Sequence, residues 1–237
     1  MGSVAGKKVV ILGDSHVDGS TFGKALEGLL VASGAQVTRF GWGGSAARTW
    51  LAGRLTFGKQ YSVEQVRDAG PWDIAIISLG TNDGANGGKA AQGNVEQAAR
   101  LAAQAAAQIR QIADGIGASE VWWAEPPQMS PSNAYKGGDV TPWYTPENID
   151  LVRKEGRKLF GGYAIDATSV GNPDGDGIHL GGQGGKAWAA LVHQRVLDGS
   201  HASFGGVLWA VPVALAIVGA ALLIRNRGDI RGLLMGD

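Results

Sequence analysis

Five short apolar runs, at 8–12, 36–40, 73–79, 120–124 and 163–166, recur along the chain, most of them separated by segments with helical patterning. Strands spaced by helices cannot close as hairpins. They pair in parallel and bring the helices onto both faces of one sheet. The helical segments fall at 21–33, 62–69, 94–113, 145–160 and 185–197. In the first, Phe22, Leu26, Leu29 and Leu30 share one side. In the fourth, Pro146 stands in the first turn, where a missing N–H costs nothing. Residues 128–144 read as a loop rich in proline, glycine and aromatic residues. The expected class is therefore α/β, with a five-stranded parallel sheet. In such sheets ligands bind outside the carboxyl ends of the strands.

The first three runs lead directly into polar segments at those ends. Gly13-Asp14-Ser15 follows the first run, and a serine on a sharp strand-to-helix turn exposes its hydroxyl above the sheet. It is not the G-x-S-x-G elbow, because Val17 occupies the last glycine position. A serine hydroxyl needs a base. Asp176-Gly177-Ile178-His179 offers an imidazole, with a carboxylate three residues earlier that can fold back onto the ring. The other histidines have plainer readings as surface or satisfied groups. His16 adjoins Ser15 and points elsewhere, His193 lies inside a helix, and His201 borders an apolar run.

Gly41-Trp42-Gly43-Gly44-Ser45-Ala46 and Gly80-Thr81-Asn82-Asp83 follow the second and third runs. Glycine amides and an asparagine NH2 are suitable donors to the oxyanion that acyl transfer creates. Gly43 and Gly44 are both eligible for the amide role. Trp42 and Trp143, on loops at the active end, and Asp83 beside Asn82 are assigned to substrate contact. Most of the eight tryptophans read as core, and Trp122-Trp123 straddle a strand.

Taken together, these blocks resemble the SGNH hydrolases, also called GDSL-type esterases. GDS with Ser15, GWGGS with Gly44, GTND with Asn82 and DGIH with Asp176 and His179 stand in that family's order. Gly184 and Ala187-Trp188-Ala189 continue the last block, and His16 departs from the family's leucine. The resemblance covers 8–197. It implies a flavodoxin-like three-layer α/β/α sandwich, Ser15 as nucleophile, His179 as base and Asp176 as its orienting partner. The implied oxyanion donors are the Ser15 amide, the Gly44 amide and the Asn82 side chain.

Other motifs fail on their own requirements. Gly41-x-Gly43-x-x-Ala46 formally fits a dinucleotide fingerprint, but the acidic residue at the right distance, Glu64, falls in a helix rather than at a strand end. Gly184-Gly185-Lys186 lacks the remaining positions of a phosphate loop, and Asp174-Gly175-Asp176 lacks the closing glutamate of a calcium loop. No metal or cofactor is expected. The chain has no cysteine, which excludes disulfides, a thiolate nucleophile and cysteine-ligated zinc. Its 21 basic and 21 acidic side chains give no excess for nucleic-acid binding. Its 39 glycines follow no fixed period, which excludes collagen and solenoid arrays.

The 237 residues divide into a domain over 1–200 and an appendage. Residues 204–224 carry no charge for 21 positions. As a helix they span about 31 Å, the hydrocarbon thickness of a bilayer. Trp209 lies toward one end, Arg225 and Arg227 follow the other, and Ala210, Ala214, Gly219 and Ala220 suit helix-mediated association. The expectation is a single-pass C-terminal membrane anchor with a short arginine-containing tail at 225–237. The first apolar run is too short for a secretory signal, which favours a tail anchor. The arginines after the helix favour the opposite orientation. Three functions remain: a serine esterase on short acyl groups of a carbohydrate or cell-wall polymer, a lysophospholipase or thioesterase, and an anchored envelope or virion module without activity.

Overall fold

A computed structural model describes residues 4–53, 58–128, 141–171 and 177–199, all within one compact unit, Met1–Ala202. Five strands form one sheet: β1 (Lys8–Gly13), β2 (Gln36–Gly41), β3 (Ile74–Ser78), β4 (Glu120–Ala124) and β5 (Ala164–Ile165). Their order is β2-β1-β3-β4-β5, and every neighbouring pair is parallel. This is the flavodoxin-like order, whose direction reverses between β1 and β3.

Alternation along the strands supplies two cores. Val9, Ile11, Ile74, Ile76 and Trp122 face one side, against Phe22, Leu26 and Leu30 of α2 (Thr21–Ala32) and Trp188, Val192 and Val196 of α8 (Gly182–Asp198). Val10, Leu12, Ala75, Ile77 and Trp123 face the other. There they meet α3 (Ala47–Ala52), α4 (Val63–Asp68), α6 (Val95–Ile116) and α7 (Pro146–Phe160). Trp122 and Trp123 thus both lie in core, on opposite faces. Ser62 and Gln65 start α4 with a reciprocal capping box, 3.2 and 2.9 Å.

Three helices go beyond what periodicity predicts: α1 (Ser15–Asp18), α3 and α5 (Thr81–Ala91). The sequence of α5, TNDGANGGKAA, has weak helix propensity. Packing overrides it. A Cβ on Gly84 would stand 2.7 Å from Ile149 Cδ1, and one on Gly88 would stand 2.1 Å from Asn148 Nδ2. The glycines therefore let α5 and α7 approach closely.

The register sets the site. Gly13 is level with Gly41 on one side and Ser78 on the other. Segments 14–16, 42–46 and 79–83 therefore leave the sheet along one rim, at the point where the strand order reverses. Among the described residues no helix is long and apolar enough to cross a membrane, and the run at 204–224 lies outside them.

Candidate active site

Asp14 ends the β1 turn and caps α1, its Oδ1 accepting from the His16 amide at 3.0 Å. Ser15 is thereby the first residue of a helix, half-buried at the rim. His179 Nε2 stands 2.9 Å from Ser15 Oγ, across 164 positions of sequence. The preceding Ile178 anchors this loop by burial with Ile149. Asp176 lies outside the described residues.

Two backbone amides at this rim, those of Ser15 and Gly44, have no hydrogen-bond partner among the described residues. Gly44 is exposed and sits at φ +69°, a conformation that favours glycine. Its neighbour Gly43 differs, because its amide donates to Asp18 Oδ2 at 3.2 Å. Of the two eligible glycines, then, only Gly44 keeps its donor available. Asn82 Nδ2 donates to Ser45 O at 2.9 Å and lies 3.4 Å from Asp14 Oδ2, a weak contact. Its Oδ1 accepts from the Tyr144 hydroxyl at 2.5 Å.

A serine and an imidazole in hydrogen-bond contact, beside idle amides at one strand rim, form the local arrangement of an acyl-transfer site. The family model for GDSL-like lipase/acylhydrolase matches residues 9–192. The chain belongs to this family. It is a carboxylic ester hydrolase by class. Solved structures share its fold at low identity. An aryl esterase from M. smegmatis is 18% identical over 81% of this chain and 99% of its own, with a TM-score of 0.55. A carbohydrate acetylesterase family member from Sinorhizobium meliloti is 16% identical over 82% and 100%, with a TM-score of 0.60. A catalytic mutant of an acetylxylan esterase from Geobacillus stearothermophilus is 15% identical over 84% and 94%, with a TM-score of 0.53. No curated protein matches the sequence.

The assignment of Trp42 to substrate contact is corrected within this GDSL-type site. Trp42 is 0% exposed; its ring turns beneath the loop to meet Trp50 and Tyr61 edge-on, in the core. Asp83 is 8% exposed, and its Oδ1 accepts from the Ala47 amide at 2.9 Å. It braces the first turn of α5 against that of α3, and so supports the intervening loop. Trp143 is half-buried and lines an apolar pocket of about 260 Å³ with Ala91, Val95 and Leu151. Residues 15, 44, 82 and 179 do not line that pocket.

The other histidines are also placed. His16 is buried, its ring 5.5 Å from that of His179 and edge-on to Trp188 at 5.3 Å. His193 pairs with Ser33 Oγ at 2.8 Å, and burial lowers its pKa. His201 lies outside the described residues. Among the described residues no group of three histidines or carboxylates is placed to hold a metal.

Two buried carboxyls support the rim. Burial pushes Asp14 up to about 7, helped by the charge of Asp83 and opposed chiefly by the His16 amide. Burial pushes Asp83 up to about 6, opposed by the Ala47 amide and by Arg48. A carboxyl with a raised folded-state pKa stabilises the fold fully below its unfolded value, near 4. That contribution is lost as pH rises through the folded value. Unfolding free energy from denaturant titrations is therefore expected to fall between pH 4 and 7 because of Asp14. Asp14→Asn should flatten that fall. Equal slopes in the variant and the wild type would show that Asp14 does not titrate in this way.

Proposed function

We propose that this chain hydrolyses acyl esters through a Ser15 acyl-enzyme. The supporting observation is the 2.9 Å contact between Ser15 Oγ and His179 Nε2, beside the amides of Ser15 and Gly44, which have no hydrogen-bond partner among the described residues. His179 Nε2 takes the hydroxyl proton as Oγ attacks the carbonyl carbon. Negative charge then gathers on the carbonyl oxygen, which the amides of Ser15 and Gly44 and the Asn82 NH2 receive. As the tetrahedral intermediate collapses, His179 passes the proton to the leaving alcohol oxygen. Water then repeats the sequence, giving the acid and free Ser15. Asp176 is assigned to the other ring nitrogen of His179, fixing its tautomer.

The substrate is assigned to short acyl esters, with acetyl groups on a carbohydrate or cell-wall polymer as the class. Fold neighbours described as a carbohydrate acetylesterase and an acetylxylan esterase support this choice. The lipid-directed alternative, a lysophospholipase or thioesterase, draws on the uncharged run at 204–224. We assign that run to a single-pass membrane anchor.

Purified wild type should hydrolyse p-nitrophenyl acetate, react with a fluorophosphonate and lose both properties in Ser15→Ala. Turnover confined to acyl chains beyond about eight carbons would replace the carbohydrate reading with the lipid one. No turnover or labelling on any ester would overturn the hydrolase mechanism. The full chain should sediment with carbonate-washed membranes. Full recovery in the supernatant would overturn the anchor alone.

A further inference from the structure

We infer that Tyr144 is the positioning residue of the oxyanion site, holding the Asn82 amide in its donor orientation and coupling it to the loop that carries His179. This rests on the serine-hydrolase reading above. An asparagine amide has two faces, an oxygen that only accepts and an NH2 that only donates. Rotation by 180° would replace a donor to the oxyanion with an acceptor that repels it. The Asn82 oxygen is fixed by the Tyr144 hydroxyl at 2.5 Å, and one NH2 hydrogen is fixed by Ser45 O at 2.9 Å. The contact of the same nitrogen to Asp14 Oδ2, at 3.4 Å, is weak, and we assign the remaining NH2 hydrogen to the substrate oxyanion.

Tyr144 is itself held from below. It lies between the 3₁₀ turn Thr141–Trp143 and α7. Thr145 caps α7 by accepting from the Asn148 amide at 3.3 Å. Asn148 Nδ2 and the Thr145 amide both donate to Trp143 O, each at 2.9 Å. Close packing of Gly88 on Asn148 ties this cap to α5, the helix that begins with Thr81 and Asn82. The phenol also packs on the buried pair Ile149 and Ile178, and Ile178 directly precedes His179. One side chain thus touches the oxyanion donor and the anchor of the base.

Removing the hydroxyl alone tests the idea. Tyr144→Phe should lower kcat on p-nitrophenyl acetate by ~10-fold or more, less than the 10²–10³ typical for deleting a donor outright. KM should stay within about twofold, because the amide acts on the charged intermediate rather than the ground state. In an Asn82→Ala background the same substitution should have no further effect on kcat, since its target is gone. Wild-type kcat in Tyr144→Phe, or an equal loss in both backgrounds, would overturn the assignment. A readout independent of turnover is the ¹⁵N spectrum of the Asn82 side-chain amide. Tyr144→Phe should shift or broaden its pair of NH2 signals, and an unchanged pair would also overturn the assignment. If wild type hydrolyses nothing, the hydrolase reading fails while this spectrum still decides the positioning.

Discussion

His179→Ala is expected to lower kcat for p-nitrophenyl acetate by ~10⁴-fold or more, with the melting temperature of the protein nearly unchanged. A serine hydroxyl is a weak nucleophile at neutral pH until a base takes its proton, and the ring at 2.9 Å is the group placed to do so. Among the described residues His16 is the nearest other imidazole to that ring, at 5.5 Å, but it is buried and lies edge-on to Trp188. It cannot take over without breaking the first core. The fold should tolerate the change because the His179 ring is only half-buried and its loop is anchored by Ile178. Residual activity should come from the oxyanion donors alone, so Ser15→Ala/His179→Ala should be no slower than either single variant. Steady-state rates on the three proteins check this. More than about 1% of wild-type kcat in His179→Ala would mean that another base serves Ser15, contrary to the mechanism above.

The sequence exposes the rim better than it exposes what supports the rim. Ser15, Gly44 and Asn82 follow three consecutive strands, and turn residues after apolar runs can be read from composition and spacing alone. Which glycine keeps a free amide is a different matter. It depends on Asp18, 25 positions earlier, accepting from Gly43. The burial of Trp42 has a similar cause. A loop position says where the backbone runs, whereas the ring follows the space left by Trp50 and Tyr61. Asp83 reads as a polar group at the active end, but its carboxyl spans to the Ala47 amide, 36 positions away. Tyr144 leaves no signal in spacing, since its partner Asn82 is 62 residues distant.

Helix α5 leaves no periodic or propensity signal in TNDGANGGKAA, because its glycines serve contacts with α7 rather than helix formation. Arg153, by contrast, is legible from its spacing. Ile149, Val152, Arg153, Gly156 and Phe160 share the buried stripe of α7 at intervals of three and four. A charged residue inside such a stripe calls for buried partners.

Those partners lead to the largest expected effect on stability. Arg153 is 2% exposed and donates to the carbonyls of the segment leaving β4. Its Nε reaches Pro126 O at 2.8 Å, one terminal nitrogen reaches Pro127 O, and the other reaches Gln128 Oε1 at 3.2 Å and Asp150. The Asp150 side chain is 56% exposed, so the carboxylate stays hydrated while the guanidinium does not. The fork therefore acts chiefly as a set of donors for buried carbonyls that have lost water. Beside it Arg157 grips Glu125 through two 2.7 Å bonds, and Arg153 also helps to hold down the pKa of Glu125 against burial. Arg153→Met keeps similar volume and removes every donor. Each buried carbonyl left unsatisfied costs about 1–3 kcal/mol, so the expected loss is about 2–4 kcal/mol after the packing gained by the thioether. For a domain of this size that lowers the melting temperature by roughly 5–15 °C. Arg153→Lys should recover less than half of the loss, because an ammonium cannot present a planar fork to carbonyls on two consecutive prolines. Scanning calorimetry on the three proteins decides it. A melting point within about 2 °C of wild type in Arg153→Met would mean that the carbonyls of Pro126 and Pro127 find other donors, and that this buried charge contributes little to holding the end of β4.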